Sequence, residues 1–100
     1  MGRYDEAIAE FKSSLLIDPR SVVVLHRLGL VYQYNGMYDM AAEQFKKVIK
    51  IKPDFTGAYF ALGVLYDQYL NNPKEADYYY SLFAILEPES SVVEVYDEKE

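Results

Sequence analysis

The sequence predicts an all-α fold, an α-α superhelix (solenoid) of antiparallel helix pairs. Three observations carry that expectation. The chain repeats itself at an offset of 34 residues, as from Gly2 to Gly36. Within each period the apolar residues recur at helical spacing, as in Ala41, Phe45, Val48 and Ile49 on one run and Leu25, Leu28, Gly29 and Tyr32 on another. Turn residues then separate one run from the next.

The register is explicit. Gly2-Arg3-Tyr4-Asp5-Glu6-Ala7 falls on Gly36-Met37-Tyr38-Asp39-Met40-Ala41, Phe11 on Phe45, Ile17 on Ile51 and Pro19 on Pro53. Leu28-Gly29 and Tyr32 fall on Leu62-Gly63 and Tyr66. In the last repeat Ala76, Tyr80 and Pro88 follow Ala41, Phe45 and Pro53 by 35 residues, so one residue is inserted near Leu70-Asn71-Asn72-Pro73. A turn is the expected place for it, because loop length costs little there.

Taken in order, helices are expected over about 4–17, 21–35, 38–51, 55–71 and 74–86. Asp18-Pro19, Lys52-Pro53 and Glu87-Pro88 end the first, third and fifth, since the residue before proline is steered out of the α region. Asn35-Gly36 supplies a residue tolerant of positive φ at the end of the second. Asn71-Asn72-Pro73 stops the fourth and opens the fifth with proline at its first position. Gly29, Gly63, Ala41 and Ala76 are small where two helices must approach closely. Ser91-Val92-Val93-Glu94 has capping-box spacing, and Val92, Val93, Val95 and Tyr96 form an apolar strip suited to cover the last repeat.

The pattern Leu-Gly-x-x-Tyr, then Ala-x-x-x-Phe, then Pro, recurring in register, resembles the tetratricopeptide repeat. The resemblance covers residues 2 to 88. It departs from the usual pattern in opening the first helices with Leu25 and Tyr59 and in placing Tyr80 for Phe. It divides the chain into a repeat domain over 1–88, with a half repeat 1–21 and full repeats 22–55 and 56–88, and an acidic tail over 89–100 that is short enough to be a capping helix. Gly2-Arg3-Tyr4 reads as the turn entering a second helix, so the sequence is expected to be a piece of a longer array. Ala7, Phe11 and Leu15 then form an open apolar N-terminal edge through which self-association is expected.

Composition narrows the function. The net charge of -6 repels phosphate backbones and anionic surfaces, which argues against nucleic-acid and membrane partners. The longest apolar stretches, such as Val22-Val23-Val24-Leu25, fall far short of a membrane span, and no signal-peptide pattern opens the chain. With no cysteine there is no disulfide, thiolate metal site or cysteine nucleophile, which favours a cytoplasmic setting. The aromatics are 11 Tyr and 5 Phe with no Trp, and most are expected to pack.

No enzymatic constellation emerges. His26 is the single histidine and no second metal ligand or nucleophile sits at a diagnostic distance from it, so it reads as a surface or groove residue. Asp5, Glu6, Asp39, Glu75 and Asp77 fall in first helical turns, where negative charge suits the helix dipole. Lys46, Lys47, Lys50 and Lys52 crowd the opposite end of their helix, with the same explanation. In Tyr78-Tyr79-Tyr80, Tyr80 has a core role in the register and Tyr78 or Tyr79 is the exposed surplus. No cofactor is expected.

The resemblance implies a concave groove lined by the first helices of successive repeats, receiving a peptide or helix of a protein partner. On these helices that face comprises Val23, His26, Arg27, Leu30, Gln33 and Tyr34, then Gly57, Phe60, Ala61, Val64, Asp67 and Gln68. One subclass of the family grips a partner's terminal carboxylate with Lys/Asn and Lys/Arg pairs four apart. The equivalent pairs here are Val23/Arg27, His26/Leu30, Gly57/Ala61 and Phe60/Val64, so that clamp is absent. An apolar anchor near Phe60, oriented by Arg27, Gln33 or Gln68, is expected instead. A structural segment of a longer solenoid, and a substrate-docking part of a multidomain enzyme, remain the alternatives.

Overall fold

In the computed structural model, which describes residues 2–87, the chain runs through α1 (Gly2–Ile17), α2 (Val22–Tyr34), α3 (Tyr38–Ile51), α4 (Thr56–Val64), a π-helical segment (Leu65–Tyr69) and α5 (Pro73–Leu86). No strand occurs among the described residues. Each helix packs chiefly on its neighbours in sequence, giving an elongated stack of 50 × 30 × 23 Å. The expectation for residues 88–100, including the capping-box segment, lies outside the described residues.

Local chemistry explains the helix ends. The Ser21 hydroxyl accepts the Val24 N–H at 3.3 Å and starts α2. At its other end Gly36 takes φ 77°, which lets Gly36 N–H donate to Gln33 and Met37 N–H to Tyr32. Asn72 caps α5 by accepting the Glu75 N–H at 3.3 Å, with Pro73 next.

The inserted residue is not in the turn, as the sequence suggests, but inside the helix before it. Asn71 takes φ 53°, the counterpart of Gly36, so the turn itself is conventional. The bond that runs from Met37 to Tyr32 in one repeat runs from Asn72 to Tyr66 in the next, across one residue more, at 2.8 Å in both. Leu70 N–H reaches back to Leu65 at 2.8 Å, an i→i+5 bond. The extra residue widens one helical turn into a π segment, and the single α-helix expected over 55–71 is therefore α-helical only to Val64. α1 also begins at Gly2, two residues earlier than expected.

The core follows the register. Tyr32, Phe45, Leu28, Leu62, Leu65 and Val48 are fully buried, each contributing roughly 1.5–3 kcal/mol of transfer free energy if aliphatic or phenyl. A Cβ on Gly29 would stand 2.7 Å from the Phe45 ring, and one on Gly63 2.5 Å from the Tyr80 ring. These two contacts are the same joint in successive repeats, and both require glycine.

The tyrosine run settles which of Tyr78 and Tyr79 is the exposed surplus and qualifies the core role expected of Tyr80. Tyr78 is exposed, but Tyr79 is buried and stacks on Tyr66 with centroids 5.9 Å apart. Tyr80 covers Gly63 yet stays partly exposed, because its hydroxyl reaches out to donate to Asp67 Oδ2 at 3.4 Å. Two lysines have specific partners beyond the helix dipole. Lys46 Nζ lies 5.4 Å from the Tyr66 ring centre, and the Tyr66 hydroxyl, opposed by some desolvation, holds its ammonium above the ordinary lysine range. Lys52 pairs with Asp54 at 3.1 Å on an exposed surface, where such a pair contributes about 0–1 kcal/mol.

At the N-terminal end Ala7, Phe11 and Leu15 are half-buried, with Phe11 and Leu15 packed against the core. The large apolar groups most exposed on α1 are Leu16 at 85% and Ile17 at 87%.

Candidate functional site

A hollow of about 230 Å³ opens between α2 and α4, lined by His26, Leu30, Gln33, Gly57, Phe60, Ala61 and Val64. These residues meet because positions three and four apart share a face on each helix, and the two helices lie side by side in successive repeats. Gly57 leaves room: a Cβ there would meet only the Phe55 ring at 3.7 Å and the His26 ring edge at 3.8 Å. Phe60 forms one wall, half exposed, its ring tilted against Phe83 at 5.3 Å and Tyr80 at 6.1 Å.

Of the residues assigned to the groove from the sequence, His26, Leu30, Gln33, Phe60 and Val64 line the hollow, with Gly57 and Ala61. Val23, Arg27, Tyr34, Asp67 and Gln68 do not line it. Val23 and Tyr34 are exposed beside it on α2. Asp67 accepts the Tyr80 hydroxyl and belongs with Gln68 to the π segment, where the 100° step that places a residue on an α-helical face no longer applies. A second, larger hollow of about 320 Å³ lies elsewhere, lined by Gly36, Met37, Tyr38, Asp39, Met40 and Leu70. The sequence carries no signal for it, because Leu70 arrives there through the inserted turn.

His26 is the chemically distinctive member. Its ring is wedged between Phe45 at 5.2 Å and Phe55 at 5.1 Å, and its Nδ1 is buried without a hydrogen-bond partner. Burial pushes the imidazole pKa below its ordinary value. A depressed pKa means the unfolded chain binds the proton more readily. His26 therefore leaves stability intact above the ordinary imidazole pKa of about 6.5 and subtracts from it as pH falls below that value. Thermal unfolding midpoints between pH 7.5 and 5.5 are expected to fall more in the native chain than in His26→Gln; parallel curves would show that the histidine is not involved.

No group of three or more His, Cys, Asp or Glu side chains able to hold a metal occurs among the described residues. No helix among them is long and apolar enough to cross a membrane.

Comparison with known proteins bears on this architecture. Residues 22–55 match a family model described as tetratricopeptide repeat, and residues 1–21 match another of the same description. The chain is 30% identical over 81 residues to Superkiller complex protein 3 of Mus musculus, covering 81% of this chain and 5% of that protein. It is 31% identical over 64 residues to the tetratricopeptide repeat and J domain-containing co-chaperone DNJ1 of Fusarium oxysporum f. sp. lycopersici, covering 64% of this chain and 12% of the co-chaperone. Among solved structures, a crystal structure of MamA superposes with a TM-score of 0.84 at 28% identity, over 89% of this chain and 52% of that one. The chain thus spans about half of MamA and a small part of each of these two relatives. The helix pairs, the glycine joints at Gly29 and Gly63 and the matches over residues 1–55 agree: the chain belongs to the tetratricopeptide repeat family.

Proposed function

We propose that this chain is a protein-interaction scaffold whose α2–α4 groove receives a segment of a partner polypeptide, with one apolar side chain seated in the hollow. The observation that carries the reading is the hollow itself: about 230 Å³, mainly apolar, with Phe60 half exposed in its wall and Gln33 and His26 as polar groups around it. That volume suits a single medium-sized side chain, and a lone buried anchor with polar groups around it is the usual source of affinity in such interfaces. The family membership supports the same reading, as do relatives named as a co-chaperone and a complex subunit. Val23, Arg27, Tyr34, Asp67 and Gln68 are flanking positions in this proposal, available to the partner's neighbouring residues. The scaffold reading needs no catalytic group.

Selection from a displayed peptide library, followed by titration of the enriched peptide, tests the groove. Gly57→Leu fills the hollow and Phe60→Ala removes its wall; each is expected to weaken binding by about tenfold or more, the loss of a hot-spot contact. Lys47→Ala, exposed on α3, serves as the control. Undiminished affinity in both groove variants would remove the assignment. A second reading, self-association, is favoured by the exposure of Leu16 and Ile17 on α1; light scattering on Leu16→Lys and the native chain separates it from peptide capture.

A further inference from the structure

The larger hollow, at the start of α3, shares no lining residue with the α2–α4 groove, and the widened turn helps to build it. Tyr69 ends the π segment and stacks on Tyr38 with ring centres 4.4 Å apart, and Leu70 follows it into the wall. At about 320 Å³ the hollow sits at the lower end of the roughly 300–1,000 Å³ found for ligand clefts. Across the register it differs from the corresponding turns of the other repeats. Met37 stands where they have Arg3 and Asn72, and Met40 where they have Glu6 and Glu75. Two positions that are charged or polar elsewhere are thioethers here, and Met40 is 36% exposed. The Asn35 side-chain amide donates to Met37 Sδ at 3.4 Å and steadies that side chain.

Asp39 is the one charged group in that lining. No ion pair engages it among the described residues. The positions three and four away along the chain, Asn35, Gly36, Ala42 and Glu43, supply no cation, and Glu43 adds a second exposed carboxylate one turn further on. A place in the first turn of α3 suits Asp39 to the helix dipole. The dipole does not account for the methionines and the aromatic ring around it.

We propose that this hollow seats an arginine side chain of a partner polypeptide, at a site separate from the α2–α4 groove. Charge complementarity selects the occupant. The methylenes of an arginine match Met37, Met40 and Leu70, its guanidinium can give a carboxylate such as Asp39 two parallel hydrogen bonds, and its plane stacks on an aromatic ring such as Tyr38. A purely apolar side chain would take water from Asp39 without replacing its hydrogen bonds. An acidic one would be repelled by Asp39 and Glu43. The compact, strongly hydrated ammonium of lysine offers neither the fork nor the plane. Unbranched thioethers adapt to the side chain they receive, and the net charge of -6 draws a basic segment towards the chain.

Met37 and Met40 are two of the 3 methionines in the chain, so their methyl resonances report occupancy of the hollow directly. The probes are a short capped peptide with one arginine among alanines and the same peptide with citrulline, which keeps the shape and loses the charge. Titrated into the full chain, the arginine peptide is expected to shift both methyls saturably, and the citrulline peptide to bind about tenfold more weakly, the loss of a charge-assisted hydrogen bond. Asp39→Asn should erase that difference. Met37→Arg, which carries the residue of the first repeat, sets a cation of the chain's own beside Asp39 and should abolish the shift at Met40. Gly57→Leu, which fills the α2–α4 hollow, is expected to leave both titrations unchanged, so this site and the groove stand or fall separately. Equal affinity for the two peptides, a difference that survives in Asp39→Asn, or no saturable shift would overturn the proposal. So would methyl shifts that grow with protein concentration in the absence of peptide, which would assign the hollow to a second copy of the chain.

Discussion

Phe45→Ala is expected to destabilise the chain by about 3–5 kcal/mol, the range for emptying a fully buried aromatic site. The ring has no exposed surface, fills the space above Gly29 and forms one side of the cradle around His26. Helices α2 and α3 cannot close the void by sliding together, because Leu28, Tyr32 and Val48 around it are themselves fully buried and packed. Total stabilities of single domains are commonly only about 5–15 kcal/mol. Denaturant unfolding should therefore show the variant largely unfolded or close to it under conditions where the native chain is folded. A loss below about 1 kcal/mol would mean that the joint between α2 and α3 is loosely filled.

Adding one methyl group should do the converse damage at the next joint. Gly63→Ala places a Cβ 2.5 Å from two atoms of the Tyr80 ring, closer than carbon atoms approach without displacement. The ring cannot retreat freely, being in contact with Phe60 and hydrogen-bonded through its hydroxyl to Asp67. Overpacking of this kind costs about 1–3 kcal/mol, against which the intrinsic helix preference of Ala over Gly returns at most about 1 kcal/mol. The net expectation is destabilisation by about 1–2 kcal/mol. Gly57→Ala supplies the internal comparison: the same chemical change on the same helix meets nothing nearer than 3.7 Å and should leave the unfolding midpoint unchanged or slightly raised. Equal responses at the two positions would remove close approach as the reason for glycine at 63.

The glycines of these joints were legible in the sequence because Gly29 and Gly63 recur 34 residues apart in register. Their large partners, Phe45 and Tyr80, recur at the matching place of the following helix, one residue further on in the second case. The lining of the α2–α4 hollow was legible in part. Helical spacing put His26, Leu30 and Gln33 on one face and Phe60 with Val64 on another, and these residues meet around the hollow because α2 and α4 are regular there. Asp67 and Gln68 lie outside it, in the π segment, which changes the angle between successive residues. The insertion itself could be counted but not located. The residues from Leu65 to Asn72 offer no register marker between Tyr66 and Pro73, and a widened helical turn is indistinguishable from a longer loop in such a stretch. Tyr80 takes its expected place over Gly63 but is less buried than its register position implies. Register puts Tyr80 on Phe45, but a hydroxyl on that ring must find a partner, and it finds Asp67 outside the core.

The widened turn also separates two properties that repeat proteins usually keep together, the length of a module and the geometry of its joints. Gly63 and Tyr80 meet as Gly29 and Phe45 do, although their separation along the chain is one residue greater. The slack is taken up at the end of the first helix, before Asn71 resets the chain into the next one. A module lengthened at this point thus presents the same joint to its neighbour as one that is not.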